Sequence, residues 1–295
     1  MVETYIPSER IQRLRARALA NDLAVRKYQG WRGLLWAEGC DEAGDEPLVM
    51  ERARGLARVI SAMPAEIMAD ETLVGHHYLG DEQLDFPEFR PWSEQIEARL
   101  AAETLLTPAQ IARYRELAAQ VGRADTLRSP VEPLPEFIRD EQARGILEIW
   151  GTFLNHSVRG YEKVLRLGYE GLRAEIDARL ESLPLADPTA PRQRAFLQAA
   201  RLIADAACRL GQRYAQAAQR ELAACDDPAR RDDLEAIRDQ CWQVPARPAR
   251  TFREAVQALW FAHVITCWED AVNANSIGRI DQLLYRSEER RVGKE

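Results

Sequence analysis

The sequence predicts a predominantly α-helical chain, and three observations lead to that prediction. Apolar side chains recur at steps of three and four along most of the 295 residues, several of these periods follow a capping residue, and prolines fall where the periods start or stop. A single domain of this length buries roughly 75% of its unfolded surface, although two smaller domains are also compatible with it.

Ser8 is placed to cap a helix with Ile11, Leu14 and Ala18 on one face. Pro47 opens a second, with Val49, Ala53, Leu56 and Ile60 inward. Thr72 to Gly75 reads as a short strand. Thr107-Pro108 supplies a cap and a first-turn proline for Ile111, Tyr114, Leu117 and Val121. The strongest helical pattern follows Pro191 and places Phe196, Ala200, Ile203, Ala207, Leu210 and Tyr214 on one side. Asp227-Pro228 restarts the chain, and that helix must end before Pro245, because proline excludes its predecessor from helical angles. In VPARPARTFREAVQALWFAHVITCWED the two prolines give an extended lead-in. Thr251 and Glu254 then form a capping box, so a helix starts at Phe252 with Phe252, Val256, Leu259 and His263 inward. Gly80 to Trp92 and Ser129 to Phe137 are irregular, which suggests connections packed against something larger.

Composition excludes several function classes. A formal charge of −7 argues against a general nucleic-acid surface, which needs clustered lysine and arginine. No apolar run approaches the ~20 residues of a membrane span, and MVETYIPSER lacks the basic and apolar regions of a signal peptide, so a cytoplasmic protein is expected. The five cysteines, Cys40, Cys208, Cys225, Cys241 and Cys267, form no Cys-x-x-Cys pair and read as reduced thiols used as small hydrophobes. His76 and His77 would point to opposite faces of a strand, which disfavours a shared metal, and His263 reads as a core histidine. Glu269 and Asp270 would diverge in the same way if they lay on a strand.

Four segments in order resemble one family. PARPARTFREAVQALWFAHV followed by NSIGRIDQLLY resembles the entry to the catalytic barrel of glycyl radical enzymes, the pyruvate formate-lyase and glycerol dehydratase group. RARGLARVISAMPAEIMADETLVG resembles the family's early helix and D-E-x-x-V-G strand, and NHSVRGYEKVLRLGYEGL resembles its G-H-x-x-P-D-Y-E-K-V-L-x-x-G segment. The resemblance runs from about Ser8 to Tyr285.

It implies a ten-stranded α/β barrel wrapped in helices, of which residues 1–285 hold the N-terminal, mainly helical part. It also implies a glycyl radical, installed by a separate activating enzyme that uses S-adenosylmethionine and an iron–sulfur cluster. The radical passes through a cysteine thiol to a small organic substrate, breaking a C–C, C–O or other C–heteroatom bond. The glycine and the thiyl cysteine are expected beyond this chain, whose own residues are then expected to be inactive alone. A cytosolic homodimer in an anaerobic setting is the expected intact form. The barrel keeps substrate radicals from water and oxygen.

Site residues follow only by matching. His156 matches the histidine of the G-H pair, which in several dehydratases points into the substrate pocket and can hydrogen-bond a hydroxyl or shuttle a proton. Asn155 and Arg159-Gly160 replace the usual neighbours. Where dehydratases read G-H-S-x-S-x-G-R, this chain has Asn273 for the histidine and Ala274 for the first serine, while Ser276, Gly278 and Arg279 match. His156, Asn273, Ala274 and Ser276 are therefore the substrate-binding candidates, and no metal ligand is expected.

The decapeptide RSEERRVGKE at 286–295 looks like the translation of a common sequencing adapter, so residues 286–295 are expected to be a non-native tail. Its Arg291-Val292-Gly293 lacks the spacing and neighbours of a radical loop. A helical scaffold without catalysis is the alternative function. An ordinary hydrolase built on His156 would need a nucleophile or metal set that the cysteine and histidine spacings do not provide.

Overall fold

The computed structural model describes residues 7–19, 27–79, 82–88, 92–121, 135–147, 158–184, 186–270 and 275–285. Among them are eleven helices: α1 (Glu9–Leu19), α2 (Trp31–Asp41), α3 (Leu48–Ala62), α4 (Glu82–Asp85), α5 (Glu94–Glu103), α6 (Pro108–Val121), α7 (Glu136–Ala143), α8 (Tyr161–Glu181), α9 (Ala190–Leu222), α10 (Pro228–Gln243) and α11 (Phe252–Asp270). Residues 280–285 are also helical. The helical expectation holds.

The 33-residue α9 is the spine, packed by α3, α8 and α10. Ala206, Ala207, Ala215, Ala217 and Ala218 are buried along it, favouring helix and letting neighbours approach closely. Gly211 lies directly under the end of α10, where a Cβ would collide with the carbonyls of Cys241 and Val244. The main core joins Leu56, Ile60, Leu210, Tyr214, Ile237, Phe261 and Trp268. On the predicted α9 face Ala200 and Ile203 are half-buried and Ala207, Leu210 and Tyr214 buried, whereas Phe196 at its start is 62% exposed rather than inward.

The helix ends follow their caps. Thr107 accepts the Gln110 N–H at 3.3 Å while Gln110 accepts the Thr107 N–H at 2.9 Å, a reciprocal box at the start of α6. Asp227 caps α10 through the Ala229 N–H at 3.1 Å, and α10 stops at Gln243, ahead of Pro245 as expected. Thr251 accepts the Glu254 N–H at 3.1 Å, but the buried Glu254 carboxylate accepts the Arg250 N–H at 2.7 Å instead of closing the box on Thr251. The Arg250 guanidinium, also held by Glu254, accounts for the diversion.

Three expectations need correction. In α1, Ile11 and Ala18 are exposed. Charge docks this helix instead: Arg13 chelates Asp70 at 2.6 and 3.0 Å, Arg10 pairs with Asp233, and Arg17 donates to the Ala69 carbonyl at 2.8 Å. Second, α11 has no single inward face. Val256 and Phe252 are half-buried, while Ala255, Ala258, Phe261, Ile265 and Trp268 are buried on several sides, as befits a central helix.

Third, Thr72 to Gly75 belongs to no ladder. The Val74 N–H instead donates to Gln257 Oε1 at 3.0 Å, and Gln257 Nε2 donates back to the Val74 carbonyl at 2.7 Å. Trp260 Nε1 serves the Gly75 carbonyl at 2.7 Å and Trp268 Nε1 the His77 carbonyl at 2.8 Å. Side chains of α11 thus satisfy a buried extended backbone that would otherwise need a neighbouring strand.

A buried ion pair joins the smaller core to this centre. Arg32 and Glu88 are 0% and 1% exposed at their side chains, with Nη1 and Oε1 2.6 Å apart. The guanidinium lies between the rings of Trp36 and Phe86, 4.0 and 4.1 Å from their centroids, and its Nε donates to the Trp268 carbonyl at 2.9 Å. Beside it, Leu34, Leu84, Leu100, Ile111 and Tyr114 form a second cluster.

Candidate functional site

The two segments singled out by their motifs meet at one corner of the fold. Residue 158 enters α8 from one side, and 275–279 lies beyond α11 on the other. Val158 and Ser276 form a parallel bridge, the isolated β-bridge found among the described residues. Gly278, at φ 85°, packs against it, since an added Cβ would lie 2.8 Å from Val158 Cγ1.

Why α8 starts here is local. Gly160 lies just ahead of Tyr161, and Tyr161 N–H donates to the Arg159 carbonyl at 2.8 Å. At Gly168 (φ 64°, ψ 174°) the helix breaks. Tyr169 and Glu170 there donate to the Pro245 and Ala246 carbonyls at 3.0 and 2.8 Å, and a side chain on Gly168 would strike that crossing segment. The lead-in to α11 therefore locks α8 in place. Tyr161 and Val164 then pack on Leu259 and Ala262 of α11, and Ile277, Leu283 and Leu284 complete this cluster.

Polar contacts reinforce the corner. Arg159 Nη2 donates to Asp270 Oδ2 at 2.7 Å. Tyr161 Oη lies 3.2 Å from His263 Nδ1, and His263 Nε2 lies 3.6 Å from Cys267 Sγ, whose thiol also meets the Asn275 side chain. Burial pushes the Cys267 thiol up to about 11 and holds His263 below its usual range, so both are neutral at pH 7. A cleft of about 480 Å³ opens beside the bridge, lined by Val158, Arg159, Glu162, Ile277, Arg279 and Gln282 among others.

Of the four substrate-binding candidates, Ser276 is exposed at the bridge. His156, Asn273 and Ala274 lie outside the described residues. His263, read as a core histidine, is half-buried and hydrogen-bonded. His76 and His77 take separate partners: His76 Nε2 sits 2.6 Å from Glu71 Oε1, and His77 Nδ1 accepts the Leu79 N–H at 3.0 Å. Cys40, Cys208, Cys241 and Cys267 are buried free thiols and Cys225 is half-buried. Among the described residues no cluster of three His, Cys, Asp or Glu is placed to hold a metal, and no helix is long and apolar enough to cross a membrane.

Sequence reasoning missed Asp270. It weighed Glu269 and Asp270 only as neighbours that would diverge on a strand, whereas both lie in the last turn of α11 and Asp270 is buried against Arg159. The absence of any basic residue in that last turn was the available signal, because a carboxylate at a helix C-terminus needs a cation from elsewhere.

Isethionate sulfite-lyase of Bilophila wadsworthia is 28% identical to the chain over 285 residues, covering 86% of this chain and 33% of its own length. Trans-4-hydroxy-L-proline dehydratase of Clostridioides difficile is 35% identical over 139 residues, 46% of this chain and 18% of that protein. The chain thus spans about a third of the length of the first of these relatives. Its fold superposes on the B12-independent glycerol dehydratase of Clostridium butyricum with a TM-score of 0.81 at 23% identity, covering 97% of this chain and 37% of that one. The pyruvate formate lyase-like family model matches residues 6–292. The chain belongs to the pyruvate formate lyase-like family, the glycyl radical enzymes that its four motifs resemble.

Proposed function

We propose that residues 1–285 are the N-terminal part of a glycyl radical lyase or dehydratase that cleaves a C–O or C–S bond of a small polar molecule. The Val158–Ser276 bridge carries this reading. It joins the segment that follows His156 by two residues to the segment that includes Asn273, Ala274 and Ser276, the positions matched to the substrate pocket of the family. The names of the relatives favour those two bond types over C–C cleavage or formate acetyl transfer, since they include a sulfite-lyase and a dehydratase.

In this reading the barrel that covers the corner, the radical glycine and the thiyl cysteine are supplied by sequence outside the 295 residues, and residues 286–295 are no part of it. The intact protein is a cytoplasmic homodimer working without oxygen, and its radical is installed by an activating enzyme carrying S-adenosylmethionine and an iron–sulfur cluster. That radical supplies the hydrogen abstraction. The described thiols of this chain are not placed for such a step, since Cys267, nearest the corner, is buried and engaged by His263 and Asn275. What this chain contributes is orientation of substrate, exclusion of water, and, at the His156 imidazole, a group able to hold a substrate hydroxyl or pass its proton. Ser276 adds a hydroxyl at the bridge, and Asn273 and Ala274 are the other matched positions, one a hydrogen-bonding side chain and one a small one.

The test uses the full-length protein after anaerobic activation, offered isethionate, trans-4-hydroxy-L-proline and glycerol alongside other hydroxy- and sulfo-substituted small molecules. Conversion of at least one is expected, and His156→Ala should lower that turnover by a factor on the order of 100 with the glycine-radical signal unchanged. An activated enzyme that converts none of them would overturn the function, and an unaffected His156→Ala would remove the pocket assignment. A scaffold would form no radical at all.

A further inference from the structure

We infer that the Arg159–Asp270 ion pair is a positioning device that sets the spacing between the two segments of the proposed pocket; the inference rests on that pocket reading. Asp270 is the last residue of α11 and is buried, and its carboxylate sits where the carbonyl ends of the helix already concentrate negative charge. Nothing in the last turn of α11 compensates it. The compensating cation comes from Arg159, 111 residues earlier, through a 2.7 Å hydrogen bond between side chains only 26% and 11% exposed.

The placement of the two residues is what gives the pair a role. Arg159 directly follows Val158, the bridge residue, and lies three residues after His156; Asp270 lies three residues before Asn273. The pair therefore clamps the entry of α8 to the end of α11, next to the bridge and the cleft that opens beside it. The other ties are weaker. The bridge is a single pairing with Val158 61% exposed, where water competes for the backbone groups, and the Asn275 contact to Cys267 is to a poor sulfur partner. The planar guanidinium restricts the geometry further than a lysine would.

Burial raises the Asp270 carboxyl above its usual range despite the opposing pull of Arg159. A carboxyl raised in the folded state gives up some stability as pH rises through the carboxylate range, so the pair adds less to stability than its 2.7 Å contact alone suggests. Replacing it by its neutral isostere removes the carboxylate that Arg159 pairs with, so a loss of stability is expected beside the loosening of the corner, and kinetics must be read separately from it.

The experiment is Asp270→Asn in the activated full-length enzyme, read by hydrogen exchange, thermal midpoint, radical yield and kinetics on the substrate that the wild type converts. Exchange should rise in 158–160 and 275–279, radical yield should hold, and kcat should drop on the order of 10-fold with a smaller change in KM at a temperature where both proteins are fully folded by the thermal midpoint. The charge-swapped double variant Arg159→Asp with Asp270→Arg should recover most of the loss. Unchanged exchange, unchanged kcat, or no recovery of kcat in the swap would each overturn the inference. His156→Ala run in parallel separates the two levels: a silent Asp270→Asn beside a damaging His156→Ala removes the positioning role alone, whereas a silent His156→Ala removes the pocket and this inference with it.

Discussion

The body around α9 and the corner at Val158–Ser276 are held together by different means. In the body, buried alanine, leucine and aromatic side chains of α3, α9, α10 and α11 interlock, and polar groups such as Gln257 with Val74 and Arg32 with Glu88 are paired inside it. At the corner a small apolar cluster is supplemented by one bridge, one ion pair and a short chain of hydrogen bonds, with Val158 and Ile280 exposed. Packing fixes the body many times over, so single contacts there matter for stability. The corner has few contacts, so single contacts there matter for geometry.

The sharpest way to break the body is through its buried charge. Arg32→Ala leaves Glu88 without compensation at full burial and should destabilise the chain by about 3–5 kcal/mol, measured by denaturant unfolding. Replacing both partners by apolar residues of similar volume should recover much of that. Next comes Gln257→Leu, which orphans both the N–H and the carbonyl of Val74 and should cost about 2–4 kcal/mol.

Acidification gives a smaller effect. Burial holds His77 at about 4 against 6.5 for a free histidine, so the unfolded chain binds the extra proton first as pH falls. Stability should therefore be full above pH 6.5 and decline between 6.5 and 4, by on the order of 1 kcal/mol at pH 5 after allowing for partial exposure. His77→Asn should remove that component from a urea titration carried across the same range. The smallest effect belongs to Phe196→Ala, which should lie within about 0.5 kcal/mol of the parent in the same unfolding assay because the ring is already exposed. A large loss there would mean that α9 is covered along its first turns.

The contrast also explains what could be read from sequence. The α9 period, the stop before Pro245, the Thr107 cap and the start of α11 at Phe252 were all legible, because each depends on residues within a few positions of one another. Phe196 misled because periodicity reports a face without saying how far a neighbour covers it. Thr72 to Gly75 misled more instructively. Extended backbone was read correctly as extended, but its partner is a glutamine 183 residues away, and no local pattern announces that an amide will replace a strand. The corner was legible only in part: motif matching singled out Ser276, and only the structure sets it beside Val158. Arg159 and Asp270 were visible merely as departures and neighbours, since an ion pair spanning 111 residues leaves no periodic trace.

The Gln257 amide carries one more implication, for the order of events during synthesis. Val74 emerges 183 residues before the side chain that satisfies it. At 5–20 residues per second that is a wait of roughly 10–40 s, during which the early helices can form but the peptide at Val74 has only water. The first quarter of the chain is therefore committed to helices long before it is committed to its place in the fold, and the translation of α11 closes that interval.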